Sequence, residues 1–322
     1  MSNYGGGLLA GVALRGLPLG LVHPGKVFWV SNVSTAAAIG KGQKPGSDTG
    51  ATKGTFNDPF STVDYAIGRC TGSRGDVIMV KPGHAETLSS AAAITSDVAG
   101  IAIVGLGSGS LRPTFTWDNA DATWSVTVAN LSFYNLRFIG SLATPGVTTL
   151  FNVAGGADGM TFTNCEMTSA SATLAYIAGI TLATGVDNLS IEGSKFINDS
   201  TFGTSFITGV AHDEFYISNT YMAMNGVQAA VTGLIVGSGA VTNVLIKDSY
   251  FRSFVDAAVL IDFTDATNGG LITNCYFSSD DAADATTTGV EFTGGHCFEC
   301  YFAGDADSFA IAGGGAAIYN NA

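Results

Sequence analysis

Hydrophobic and polar positions repeat along the chain from about residue 130, in a nine-residue signature that occurs seven times. Columns two and four of the signature are mostly apolar, column six is mostly Asn or Asp, and column nine is Phe or Met. The copies are NLSFYNLRF (Asn130–Phe138), GMTFTNCEM (Gly159–Met167), NLSIEGSKF (Asn188–Phe196), EFYISNTYM (Glu214–Met222), NVLIKDSYF (Asn243–Phe251), GGLITNCYF (Gly269–Phe277) and GGHCFECYF (Gly294–Phe302). Their starts are 25 to 29 residues apart. Such a period is typical of stacked, repeating units.

Each copy predicts two short strands that meet at a corner. Apolar columns two and four alternate with polar ones, as in a half-buried strand. The alternation breaks at column six, where Asn tolerates a left-handed backbone, and columns seven and nine then resume it. Further strand-like runs, expected to form a third wall, are Thr148–Val153, Ala175–Leu182, Thr204–Gly209, Val231–Val236, Ala257–Phe263, Thr287–Phe292 and Ser308–Ile311. The sequence therefore predicts an all-β, single-stranded parallel β-helix, because an antiparallel sandwich gives no reason for matching columns.

Column eight faces outward in this scheme and carries a tyrosine on four successive coils. These residues are Tyr221, Tyr250, Tyr276 and Tyr301. A row of this kind is a candidate contact surface for a sugar or a partner subunit. The alternative is cross-strand pairing that only protects the sheet. Other aromatic residues expected on the surface are Trp117, Trp124, Tyr134 and Tyr216.

The chain before the repeats divides at residue 55. Residues 1–55 are predicted to form an attachment arm and linker, and residues 56–322 the β-helix domain. The arm residues expected to bind a partner are Tyr4, Leu8, Leu9, Leu17, Leu19, Phe28 and Trp29. An apolar arm that has no core of its own is expected to pack against another protein surface. The docking partner is either another protein or the open end of the same solenoid.

Three segments after the arm carry a family resemblance. NDPFSTVDYAIGRC (Asn57–Cys70) reads as a short amphipathic helix, GDVIMVKPGHAET (Gly75–Thr87) as a strand and turn, and GIAIVGLGSGSLRPTF (Gly100–Phe115) as a strand and Gly-rich turn. This order resembles the opening of pectate-lyase-like right-handed parallel β-helices, in which a capping helix leads into the first coils. With the signatures, the resemblance covers roughly residues 56–302. It implies the fold and no single activity, because this fold has many functions.

Composition narrows the classes of partner. The net charge is −13, which opposes binding to nucleic acid, and only 12% of residues are charged. No segment has the length of a membrane span, and the N-terminus lacks the basic region of a secretory signal. Of the five cysteines, Cys165, Cys275 and Cys300 occupy column seven and read as small core residues. The His296–Cys300 run lacks the second Cys pair of a zinc site, so no metal is predicted.

Candidate chemistry is sparse, and we predict no catalytic residue, cofactor or metal. Lyases of the resembling family use aspartates that hold calcium and an Arg or Lys base, but only Lys195, Lys247 and Arg252 follow Phe138. Acidic residues cluster in three successive loops, where we interpret them as solvated turn residues. They are Asp262, Asp265, Asp280, Asp281, Asp284, Asp305 and Asp307. His84 and Glu86 share one turn, and His84 is expected at the surface.

The sequence resembles bacteriophage virion proteins with a β-helix body, an N-terminal attachment arm and few charges. This resemblance implies a capsid decoration protein in the virion that is not an enzyme, with the major capsid protein or another virion protein as partner. Such proteins form symmetric trimers. The alternative is a protein like a tailspike or tail fibre that binds or cleaves host-surface glycans.

Overall fold

The structure is a computed structural model in which three parallel sheets wind into one solenoid. It describes residues 13–14, 17–18, 25–34, 43–50, 52–226, 233–254, 259–279, 287–304, 306–310 and 318–319. The structural statements below concern these ranges. The predicted all-β parallel β-helix is confirmed, because successive coils pair in parallel at equivalent residues, as in Phe133↔Phe162 and Phe162↔Ile191.

Sheet 1 contains the first strand of each signature. Its strands are β3 (Val27–Val30), β4 (Val77–Val80), β7 (Ala102–Gly105), β10 (Ser132–Tyr134), β13 (Thr161–Thr163), β16 (Leu189–Glu192), β20 (Phe215–Ser218), β24 (Val244–Lys247), β27 (Gly270–Thr273), β30 (His296–Gly304) and β32 (Ile318–Tyr319). The apolar fourth column lies inside, and the outward residues of this sheet include Tyr216 and Leu245.

Sheet 2 contains the second strand of each signature and joins sheet 1 at the corner. Its strands are β5 (Ala85–Leu88), β8 (Thr114–Trp117), β11 (Arg137–Gly140), β14 (Glu166–Ser169), β17 (Lys195–Asn198), β21 (Tyr221–Met224), β25 (Tyr250–Ser253), β28 (Tyr276–Ser279) and the second half of β30. Column nine points inward from this sheet, and its aromatic rings stack. The Phe251 and Phe277 centroids are 5.2 Å apart, and those of Phe277 and Phe302 are 5.1 Å apart.

Sheet 3 is the predicted third wall. Its strands are β6 (Ile94–Ser96), β9 (Trp124–Val126), β12 (Val147–Val153), β15 (Tyr176–Leu182), β18 (Ser205–Gly209), β22 (Gly233–Gly237), β26 (Val259–Phe263), β29 (Thr287–Phe292) and β31 (Ala306–Ala310). Outside the three sheets, β1 (Ala13–Leu14) pairs antiparallel with β2 (Leu17–Pro18), and β19 (His212–Asp213) pairs parallel with β23 (Val241–Thr242).

The corner between sheets 1 and 2 has the predicted left-handed residue in every signature. The residues at column six have φ angles between 49° and 58°, including Gly193 and Glu299, which depart from the Asn and Asp pattern. Column one is a second left-handed position that the sequence analysis missed, for example at Asn130 and Asn188, with φ of 61° and 60°. The excess of Asn and Gly at column one was the available signal.

Column seven completes the corner by hydrogen bonding. The left-handed residue interrupts the strand, and the carbonyl of column five accepts from column six of the preceding coil, as Glu192 O does from Asn164 N at 2.9 Å. Side chains at column seven donate to this carbonyl: Ser249 Oγ to Lys247 O at 2.7 Å and Ser194 Oγ to Glu192 O at 3.1 Å. Ser194 Oγ also accepts from Cys165 N at 3.1 Å. Six of the seven signatures have Ser, Thr or Cys at column seven, each able to hydrogen-bond, and Leu136 is the exception.

The solenoid begins earlier than the division at residue 55. Strand β3 pairs along its length with β4, so Val27–Val30 belongs to the first coil. Trp29 is only 7% exposed and packs on Phe56, and Phe28 packs on Phe60. These two side chains are part of the solenoid and are not free to act as arm residues. Of the other predicted arm residues, Leu17 lies in β2, and Tyr4, Leu8, Leu9 and Leu19 lie outside the described residues.

A short helix, α1 (Val63–Ile67), covers this end of the solenoid and is shorter than the predicted Asn57–Cys70. Thr62 caps its N-terminus by accepting from Tyr65 N, and Glu86 accepts from Val63 N at 3.1 Å. Pro59 fixes an extended segment before it, and the helix ends at Gly68. Buried Val63, Ala66 and Ile67 hold the helix on the core.

Three surface predictions in this half of the chain are wrong. His84 is buried, with Nε2 3.1 Å from Glu86 Oε2 and Nδ1 accepting from Asn32 N. It therefore connects the segment after β3 with the strand β5. Trp117 and Trp124 are both fully buried. They point inward because their positions continue inward rows of sheets 2 and 3, and Trp124 Nε1 donates to Ser96 Oγ at 3.0 Å. Neither indole is available to a ligand.

Candidate functional site: the tyrosine groove

The clearest concave surface in the described part of the chain follows the corner between sheets 1 and 2. Column six points outward on one side and column eight on the other, while column seven lies inside between them. This alternation forms a groove of about 530 Å³, called here the tyrosine groove. Its lining residues are Ser194, Lys195, Asn219, Thr220, Tyr221, Asp248, Ser249, Tyr250, Asn274, Cys275, Tyr276 and Tyr301.

The four tyrosines of column eight lie in register. Parallel pairing joins Tyr221 to Tyr250, Tyr250 to Tyr276 and Tyr276 to Tyr301. The first two pairs have ring centroids 5.2 and 4.9 Å apart and planes within 10° of each other. Their faces are therefore largely covered by neighbouring tyrosines, and the groove presents ring edges and hydroxyl groups.

Amides and carboxylates form the opposite side of the groove. Asn274 Nδ2 donates to Asp248 Oδ1 at 2.7 Å, so side chains of column six also bond from coil to coil. Burial raises the pKa of the Tyr250 phenol, which keeps it a hydrogen-bond donor at neutral pH. Lys195, at the first coil of the groove, and Asp248 are its only charged lining residues. The tyrosine groove is therefore aromatic and close to neutral on a chain with net charge −13.

An apolar strip on sheet 1 borders the groove. Leu245 is in register with Tyr216 on one side and Leu271 on the other. Leu271 is 37% exposed, and Phe298, which lies one coil further at the register position of Thr273, is 42% exposed. With Tyr276 and Tyr301, at 38% and 40%, they give exposed apolar and aromatic side chains on both sides of one corner. A contiguous patch of this kind is typical of a surface that another molecule covers.

Two carboxylates lie side by side on sheet 3, away from the groove. Asp262 and Glu291 are register partners on β26 and β29. Burial, and then the charge of Glu291, raise the pKa of Asp262, and its Oδ1 is buried without a hydrogen-bond partner. The sequence analysis counted Asp262 among the turn aspartates, although it falls in the strand-like run Ala257–Phe263, and did not single out Glu291. Asp280, Asp281, Asp284 and Asp305 lie outside the described residues, and Asp307 lies in β31.

Two further features of the described ranges concern metal binding and membrane insertion. There, no three His, Cys, Asp or Glu side chains form a group that could hold a metal ion. No helix within the same ranges has the length and hydropathy needed to cross a membrane.

Comparisons with known proteins bear on the fold. No protein-family model and no curated protein sequence matches the chain. Among solved structures, a rhamnogalacturonan lyase is similar at 13% sequence identity, with 89% of this chain and 84% of that chain covered and a TM-score of 0.43. A likeness of this size carries no argument about reaction, substrate or site.

The comparison nevertheless corrects one expectation from the sequence. We predicted that the chain is not an enzyme, and the similar structure is that of an enzyme, a lyase. The prediction of no activity is therefore withdrawn. No reaction is assigned in its place, because the likeness in fold does not locate a catalytic group in this chain.

Proposed function

We propose that the protein is a structural protein of a bacteriophage virion, a capsid decoration protein whose copies contact one another through the tyrosine groove and the apolar strip beside it. The virion context rests on the resemblance of the sequence. The observation that carries the contact surface is the exposed aromatic and apolar face along one corner, from Tyr221 to Tyr301.

A protein partner fits this face better than a sugar does. Sugars stack on the open faces of aromatic rings, and here Tyr221, Tyr250 and Tyr276 cover one another. Exposed Leu271 and Phe298 gain about 25 cal/mol per Å² when a protein buries their apolar surface. Because the face is nearly neutral, it is also where copies with net charge −13 meet with least repulsion.

The arm remains the proposed attachment to the major capsid protein or another virion protein. Since Val27–Val30 forms strand β3, a deletion that tests the arm has to end before it. Removing residues 1–24 leaves the first coil intact, whereas a deletion through Val30 removes a strand of sheet 1 as well.

A charge introduced into the face tests the proposal. Tyr276→Asp and Phe298→Asp are each expected to convert the parent trimer to monomers at micromolar concentration, because an unpaired carboxylate is costly to bury. The matched control is Tyr134→Asp, since Tyr134 is equally exposed at 38% but lies outside the groove. Light scattering on the full chain gives the mass. Assembly that survives both substitutions, or a monomeric parent, would contradict the proposal.

Glycan binding is a second candidate, favoured by the hydroxyl and carboxamide groups that repeat along the groove. Two alanine variants distinguish it when the full chain is titrated with purified bacterial O-chain and capsular polysaccharides, with reducing ends measured to detect cleavage. Tight binding by the parent, weakened at least about tenfold (1.4 kcal/mol) by Tyr250→Ala and not by Tyr134→Ala, would favour this function over the decoration role.

A further inference from the structure

Three thiols meet inside the last coils of the solenoid. Cys275 and Cys300 occupy column seven of successive coils, directly before the register pair Tyr276↔Tyr301. Cys297 lies in the same coil as Cys300, at column four, and pairs with Ile272. All three are buried and free. Columns four and seven both face inward across the corner, so the three side chains point toward a common space.

Cys300 is central to this group. Cys275 precedes it at column seven of the neighbouring coil, and Cys297 lies three residues before it in the same coil. Donation from Cys275, and then from Cys297, lowers the pKa of Cys300, whereas the contact with Cys300 raises the pKa of each neighbour. Because the thiolate is the nucleophile in disulfide exchange, Cys300, which is adjacent to both other thiols, is the member placed to react with either.

Cys165 provides the contrast within the same column. It is also buried at column seven, but its neighbours there are Leu136 and Ser194 in the adjacent coils. Burial raises the pKa of Cys165 to about 12. The corner alone thus does not activate a thiol, and the property of Cys300 comes from its two thiol neighbours.

The spacing of the coils suits a covalent bond. Residues in register on adjacent strands are about 4.7–4.9 Å apart, within the Cα separation of roughly 4.4–6.8 Å that disulfides span. We propose that Cys300 is the shared member of an oxidisable thiol site, forming a disulfide with Cys275 of the preceding coil or with Cys297 across the corner. The Cys275 bond would tie two coils together near the end of the solenoid.

The oxidant is a small-molecule disulfide such as oxidised glutathione. The Cys300 thiolate attacks one of its sulfurs and expels the other as a thiolate, which gives a mixed disulfide. The thiol of Cys275 or Cys297 then loses its proton and displaces the second small-molecule thiolate from Cys300. Two protein thiols are oxidised, one external disulfide is reduced to two thiols, and the protons end on the released thiols.

Access comes from opening at the end of the solenoid. In the described residues, sheet 1 continues past β30 only through β32, which pairs at Phe298↔Ile318 and Cys300↔Tyr319. Short terminal strands open locally at lower cost than central ones. A small disulfide therefore reaches these thiols more easily than it reaches Cys165, which lies between fully paired coils.

The test is thiol counting after oxidation of the folded full chain. The protein is incubated with oxidised glutathione, freed of reagent, alkylated in denaturant and weighed intact. We expect the five thiols to fall to three, with a mass loss of about 2 Da before alkylation. Cys300→Ser should keep all its thiols, and Cys165→Ser should still lose two. Serine fits column seven, as Ser194 and Ser249 show, and circular dichroism confirms the fold of each variant.

Peptide mapping then identifies the pair. A Cys275–Cys300 or Cys297–Cys300 bond supports the proposal. Five thiols that survive oxidation, a bond without Cys300, a product that stops at a glutathione adduct, or equal loss of thiols in Cys300→Ser would each overturn it.

Discussion

Individual side chains in this protein stabilise the fold by meeting their own kind one coil away. Phe251 and Phe277 stack within 11° of parallel, and Tyr250 and Tyr276 within 8°. The inward rings of column nine add to the core, whereas the outward rings of column eight add to the contact face. The same residue type therefore has opposite roles in columns eight and nine, which are adjacent in sequence.

Truncation of one inward ring measures this contribution. Phe251→Ala is expected to lower the free energy of unfolding by about 3–5 kcal/mol, because it removes a fully buried aromatic side chain between stacked neighbours. Urea denaturation gives the value. The control is Tyr134→Ala at an exposed site, with an expected change within about 0.5 kcal/mol. Equal stability of the Phe251 variant and the parent would mean that column nine is not interior.

Some residue positions were predictable and others were not. The phase of the alternation predicted which columns face inward, and Asn at column six predicted the corner between the two strands. His84, Trp117 and Trp124 were misplaced, since they lie before the seven signatures, where no repeat fixes the phase. A histidine or tryptophan in an isolated strand reads equally well as inward or outward until its coil is aligned with the others.

At the scale of elements, the short pair β19 and β23 depends on one buried histidine. His212 is 7% exposed, and its Nδ1–H donates to Val186 O at 2.9 Å. Its Nε2 is buried without a partner in the described structure. Gly209 leaves the space for this ring, because a Cβ there would lie 1.8 Å from Nε2. The ring ties two coils together, and a proton added at Nε2 would be buried without an acceptor.

This arrangement predicts a pH dependence of stability. Burial lowers the pKa of His212, so below about pH 6.5, the unfolded value, the unfolded chain binds the proton that the folded chain excludes. Stability present above that pH is lost as pH falls, by at most about 1.4 kcal/mol per pH unit. His212→Gln should flatten this part of the profile in urea titrations at pH 5 to 7. Exposed His296→Gln is the control and should leave it unchanged.

Strand positions were largely predictable from the sequence, and the ends were not. Six of the seven signatures contain two separate short strands, and β30 runs through the corner of the last. The first coil was missed because Val27–Val30 precedes a long polar segment and carries no signature. Pairing with a strand fifty residues later is a tertiary effect that local pattern does not reveal.

At the scale of the molecule, repetition converts a local pattern into continuous surfaces. Four successive coils each add one tyrosine to the groove, and Tyr216, Leu245 and Leu271 line up on three successive coils of the strip. The groove could be foreseen as a row of tyrosines, but its concave form depends on the left-handed corner. The sequence analysis missed the apolar strip with Leu271 and Phe298, and it missed the pair of Asp262 and Glu291. In both cases the side chains become neighbours only when adjacent coils are aligned in register.

The most direct test of the proposed role is cryo-electron microscopy of phage particles purified from cells that carry the gene. We expect three copies around each attachment point, with Tyr221–Tyr301 of each solenoid against a neighbouring copy and the residue 25 end toward the capsid. Solenoid density with this face open to solvent, or purified virions without the protein, would contradict the account.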